Sequence, residues 1–220
     1  MSMLRMRQFL LGLYHDLPNV LFMGSLILGS ITGYLPLVWV SIGLIFNGLS
    51  VSVIQGLFEV IFNPLGSFGK QIFLEKGHPS CEVLPRGKFG DATGTNIIAP
   101  SYWLSSAIFF ATFTIYNSVH LAMMPVVKGA NQDKADIRQA FTLTTIIIGA
   151  VFLLLIMGRG FSGCESYFGG GLSLLLGAGL AIGYWHLLDV CGAGMIPDVL
   201  QVVNSMAPPG EDTVPVVCSA

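Results

Sequence analysis

Residues 19–62 read NVLFMGSLILGSITG, then YLP, then LVWVSIGLIFNGLSVSVIQGLFEVIF, and the only charged side chain among them is Glu59. Two apolar runs lie on either side of Tyr34-Leu35-Pro36. A hydrophobic stretch of roughly 20 residues is what a helix needs to cross a bilayer. The punctuation predicts two antiparallel helices joined by a tight turn. The first run is short for a span, so one long tilted or kinked helix is the alternative reading.

The rest of the chain repeats the pattern. Ser101 to about Val127, Phe141 to Met157 and Gly169 to about Val190 are three further apolar runs, separated by polar or glycine-rich connections. In a bilayer every backbone polar group must be satisfied internally, which makes each run a helix. Asp133 and Asp136 precede the fourth run at capping-box spacing. The sequence therefore predicts an all-α, multi-pass transmembrane bundle of about five spans within a single membrane domain, 1–220. Composition agrees. The 220 residues are 53% hydrophobic and 10% charged, with mean hydropathy +0.74, against about 25% charged in soluble domains.

Outside the spans the chain divides into three pieces. Residues 1–18 carry Arg5 and Arg7 before a short apolar run broken by Tyr14, His15, Asp16 and Pro18. No small-residue cleavage site follows, so an interfacial amphipathic segment is expected rather than a cleaved signal. Residues 63–100 form a polar loop rich in Gly and Pro, and 191–220 a non-membrane tail in which Pro197, Pro208, Pro209 and Pro215 oppose helix.

With five spans and the N-terminus inside, Arg5, Arg7, Lys70, Lys76, Arg86, Lys88 and Arg159 fall inside, and Lys128, Lys134 and Arg138 outside. Seven against three follows the positive-inside rule. The tail then lies outside, with no Lys or Arg in it. The net charge of −2 and the lack of a like-charge block give nucleic acid no purchase. No inverted repeat of the kind found in secondary transporters is visible.

Polar residues recur inside the runs. Asn47, Gln55 and Glu59 share one face of the second, and Ser106, Thr114, Asn117 and His120 one broad face of the third. Ionisable groups in lipid are costly and often functional, which raises a proton-conducting seam. Polar glue between helices is the favoured reading, because Glu59 and His120 stand toward opposite ends. Gly29 with Gly33, and Gly179 with Gly183, make GxxxG packing signals. Gly169-Gly170-Gly171 lacks the lysine and strand-to-helix setting of a phosphate loop and reads as a flexible helix entry. His186 and Asp189, three apart beside Tyr184 and Trp185, suit an interfacial aromatic belt better than a metal or acid–base pair. Of the four cysteines, Cys81 and Cys164 fall inside and Cys191 and Cys218 outside, so a Cys191–Cys218 disulfide is a candidate. Neither a metal site nor a cofactor is expected, since no CxxC-type spacing occurs.

Ala99-Pro100-Ser101-Tyr102-Trp103 resembles the Pro-Ser-Gly-His element of type 2 phosphatidic acid phosphatases, and Gly158-Arg159 with Glu165 and Gly169 resembles the spacing of that family's last motif. The resemblance implies a degenerate relative. Trp103 and Glu165 stand where the family has its two histidines, Gly169 where it has its aspartate, and Arg159 alone remains of the phosphate clamp. Pro100, Ser101, Trp103, Arg159 and Glu165 are thus degenerate positions, and no enzyme is expected. The second half of the chain also resembles multi-pass proteins of large icosahedral DNA viruses of eukaryotes. The matching residues are Pro100-Ser101-Tyr102-Trp103, Arg159, Gly163-Cys164, Gly177, Gly179 and Gly183, Cys191-Gly192 and Val217-Cys218. That resemblance implies a structural, minor-capsid-type component of a virion's internal membrane, with the lipid bilayer and other virion or membrane proteins as partners. A lipid phosphatase and a small channel or transporter are the alternatives.

Overall fold

The computed structural model describes residues 12–14, 16–62, 64, 99–123, 132–161 and 167–192, and all regular structure among them is helical. Five long helices follow in order: α1 (Leu17–Thr32), α2 (Leu35–Phe62), α3 (Tyr102–Met123), α4 (Gln132–Phe161) and α5 (Tyr167–Cys191). Of the three non-membrane pieces expected from sequence, nearly all of 63–100 and 193–220 and most of 1–18 lie outside the described residues.

The first two runs are separate helices. Gly33 ends α1 in the left-handed region at φ 68°, where a Cβ would be strained. Leu37 N–H donates to Tyr34 O at 3.1 Å, and the chain reverses. Pro36 takes the second position of α2, where its missing N–H costs no helical bond. Ser25 and Ser41 then meet across the hairpin at 2.7 Å. Buried Gly29 lets Val38 approach to 2.9 Å of where a Cβ would stand.

Helix α3 is the hub, packing against α1, α2, α4 and α5. Its own start is fixed locally, because Ser101 Oγ accepts from Leu104 N–H at 3.3 Å as an N-cap. Around it two apolar clusters form. One joins Val40 and Leu44 of α2, Phe109 and Phe113 of α3, and Ala181, Tyr184, Trp185 and Leu188 of α5. The other joins Trp103, Leu104, Ala107 and Ile108 to Ile156 of α4, with Leu17 of α1 packed on it. Tyr184 Oη closes the first cluster by donating to Trp39 O at 2.7 Å.

Contacts fix the direction of every helix. Ser101 and Gly177 with Ser105 pair α3 to α5 in parallel: Ser101 N–H donates to Ser173 Oγ at one end, and Asn117 accepts from Trp185 at the other. Tyr14 and Leu17 lie at Trp103 while Leu21 and Phe22 pack further along, so α1 runs parallel to α3 as well. Helix α2 is antiparallel, with Asn47 at Ser106 and Gln55 at Pro100. Helix α4 is too, since Gly149 lies against Ile115 and Ile156 against the cluster of Trp103 and Ile108. Successive helices therefore alternate in direction.

Several sequence expectations are corrected. The glycine triplet is no flexible entry but the first turns of α5, with Ser173 Oγ donating to Gly169 O at 2.7 Å. In α4 the helix starts at Gln132, some nine residues before the apolar run, because helix propensity carries through the polar stretch. The GxxxG expectations hold only at Gly29. Gly33 is a cap, and a Cβ on Gly179 or Gly183 would meet nothing within 4 Å. The close α3–α5 approach belongs to Gly177, where a Cβ would stand 2.5 Å from Ser105 O.

Among the described residues, length and apolarity alone qualify two helices to cross a membrane, Leu35–Ile61 and Phe168–Cys191, where the sequence reading expected about five. The difference has physical causes. At 16 residues, α1 is about 24 Å long. Helix α3 carries Ser105, Ser106, Thr112, Thr114, Asn117, Ser118 and His120, which lower its mean hydropathy while pointing largely inward.

Candidate functional site

The polar residues singled out in the helices divide among three places. In the middle of the bundle, Asn47 is fully buried, donates from Nδ2 to Ser106 Oγ at 3.2 Å and accepts at Oδ1 from Ser105 Oγ at 2.9 Å. Both serines are buried. A buried amide left unpaired would be costly, so this triad is a mutually satisfied clasp between α2 and α3. Two turns on, Gln55 Nε2 donates to Pro100 O at 2.7 Å. Glu59, expected on the same face, is exposed and adds nothing to the clasp. The seam therefore stops short of the one acid in the helix.

At the end where α1, α3 and α5 begin lie the phosphatase-like positions. Pro100 accepts from Gln55, Ser101 donates its N–H to Ser173 Oγ at 2.8 Å, and Trp103 Nε1 donates to Tyr14 O at 3.1 Å. The Trp103 ring is 2% exposed and tilts against the Tyr14 ring, centroids 5.1 Å apart. These groups hold helix ends together; none is a titratable side chain poised beside a nucleophile. The backbone of Arg159 belongs to the last turn of α4. Glu165 lies outside the described residues.

The opposite end gathers ring systems. Trp185 Nε1 donates to buried Asn117 Oδ1 at 3.0 Å. Tyr116 Oη lies 3.0 Å from His186 Nε2. His120 packs 4.4 Å from both Tyr116 and Trp185, and 6.4 Å from His186, all between ring centroids. The sequence put Asn117 and His120 on one face with Ser106, and so they are, but that face meets α2 near Ser106 and α5 near Asn117. The partnership of Tyr116 with His186 was missed, since a tyrosine at a helix end signals only an interface. Asp189, expected beside His186, is exposed, as is Cys191. Cys218, its expected disulfide partner, lies outside the described residues. No group of three or more His, Cys, Asp and Glu among the described residues is arranged to hold a metal ion.

Comparison with protein-family models, with curated proteins and with solved structures gives no match.

Proposed function

We propose that the chain is a multi-pass membrane protein of five spans with a structural role, holding a helical scaffold in a bilayer and offering its connecting segments to partner proteins. The observation that carries this is an inverted distribution of polarity. Ser25, Ser41, Asn47, Ser105, Ser106 and Ser173 are buried, whereas Ile31, Leu35, Val60, Leu175 and Val190 are each more than 60% exposed. Large apolar side chains also line the outside of α1, α2, α5 and the middle of α4, among them Ile27, Leu49, Leu154 and Leu187. In water so much contiguous apolar surface would drive aggregation. In lipid it costs nothing, and small and hydroxyl residues between helices are what association there uses.

The alternating helix directions support five spans rather than two. Once α2 and α5 cross, α3 lies alongside both, α4 packs antiparallel on α3, and α1 follows α2 through the hairpin. A structural rather than catalytic role is supported by Trp103, an indole bound into the core where the resembled phosphatases require a histidine. The resemblance of the second half to internal-membrane proteins of large DNA viruses supports a virion membrane as its location, with capsid or membrane proteins as partners. Extraction of membranes with carbonate and then detergent tests the first part: release only by detergent is expected, and release by carbonate would refute it. Copurification with intact, salt-washed virus particles is expected under the virion reading, and recovery from host membranes alone would refute that.

A further inference from the structure

The ring cluster where α3 and α5 end contains more donor atoms than packing requires. Tyr116 and His120 stand four residues apart on α3, a spacing that puts two donors on one face of a helix. His186 of α5 faces them, its Nε2 already 3.0 Å from Tyr116 Oη. The three ring centroids form a compact triangle of 4.4, 5.7 and 6.4 Å. An imidazole nitrogen binds a transition metal at about 2.0–2.1 Å. With the imidazole ring's own radius added, each imidazole centroid would stand roughly 3 Å from a shared ion, so two imidazoles about 5–6 Å apart can share one. The observed His120–His186 separation needs little closure to reach that.

We propose that His120, His186 and Tyr116 form a binding site for a divalent transition-metal ion of the copper or zinc type, with two imidazole nitrogens and one phenolate oxygen as ligands and water completing the shell. Nitrogen-rich sites of this kind favour these ions over magnesium or calcium. The phenolate forms by release of the Tyr116 proton to solvent as the ion enters. The site lies near the end of the bundle, with His186 exposed and His120 half-buried. The framework is firm, because the two helices are clamped by Gly177 against Ser105 and by Trp185 on Asn117, and Trp185 backs the His120 ring. The ion would tie α3 to α5 at the end opposite Ser101.

Titration of the purified full chain in detergent with Cu(II), read by electron paramagnetic resonance and calorimetry, tests this. The expected result is one Cu(II) per chain with hyperfine coupling to imidazole nitrogens. His120→Gln and His186→Gln each weaken binding by at least ~10-fold, while His15→Gln and His78→Gln, at the other two histidines of the chain, leave it unchanged. Cu(II) should also quench the fluorescence of Trp185, whose ring packs on His120, and the two histidine variants should keep the parent's far-ultraviolet circular dichroism, which separates loss of a ligand from loss of fold. No stoichiometric binding, or binding that survives both histidine substitutions at full strength, overturns the proposal.

Discussion

Replacing Asn47 with alanine removes both bonds of the α2–α3 clasp at a position with no solvent exposure. Interhelical hydrogen bonds in membranes average ~0.6 kcal/mol, with a maximum near ~1.7 kcal/mol. Two of them bracket the loss at about 1.2–3.4 kcal/mol. The orphaned Ser105 and Ser106 hydroxyls can turn back to carbonyls one turn earlier on their own helix, which moves the expectation toward the lower half. We expect Asn47→Ala to cost about 1–2 kcal/mol, a five- to thirtyfold change in the folded-to-unfolded ratio. Reversible unfolding in mixed micelles with increasing SDS, followed by tryptophan fluorescence, reads this directly. The control is Ser52→Ala, whose exposed hydroxyl bonds Gly48 O of its own helix at 3.0 Å, and which should stay within about 0.5 kcal/mol of the parent. A double-mutant cycle of Asn47→Ala with Ser105→Ala should return a coupling near ~0.6 kcal/mol. If Asn47→Ala is as mild as Ser52→Ala, or the coupling is zero, the clasp does not hold these helices together.

The same unfolding assay checks four further substitutions, and a phosphate assay a fifth. Gly177→Ala should destabilise by more than about 2 kcal/mol, because its Cβ meets the Ser105 backbone oxygen with no room to yield, whereas Gly179→Ala, open on all sides, should be neutral or gain up to about 1 kcal/mol of helix propensity. Trp103→Ala should cost about 3–5 kcal/mol as a core truncation. Trp103→His, which restores the residue type of the resembled phosphatase motif, should release no phosphate from a lipid phosphomonoester, measured by phosphate assay on purified protein in mixed micelles. Gly33→Ala should lose about 1–2 kcal/mol from a left-handed backbone position, visible as a lower SDS midpoint.

How far the sequence reaches depends on what each signal encodes. Tyr34-Leu35-Pro36 announced the hairpin because turn chemistry is local, and the structure resolves the choice between two helices and one kinked helix at Gly33. The polar face of Asn47 and Gln55 was legible from spacing alone, since both end on α3 or its leading residues. Glu59, one turn further along the same helix, is exposed and takes no part in the clasp, because periodicity carries no information on where a neighbouring helix stops. For the same reason Gly179-Gly183 looked like an interface and faces open space, while Gly177, outside the GxxxG pair, makes the close approach to α3. The ring cluster was half visible. His120 and His186 were noticed separately, and only the parallel packing of α3 and α5, a property of the tertiary fold, brings them together.

The five-span account is tested most directly by which side of the bilayer each native cysteine occupies. In chains retaining one cysteine and inserted in sealed vesicles, a membrane-impermeant maleimide labels only the face it can reach. Cys81 precedes α3 and Cys164 precedes α5, while Cys191 ends α5. The account predicts that Cys81 and Cys164 label from one face and Cys191 from the other. Cys191 labelling from the same face as Cys164, or Cys81 and Cys164 labelling from opposite faces, would contradict it.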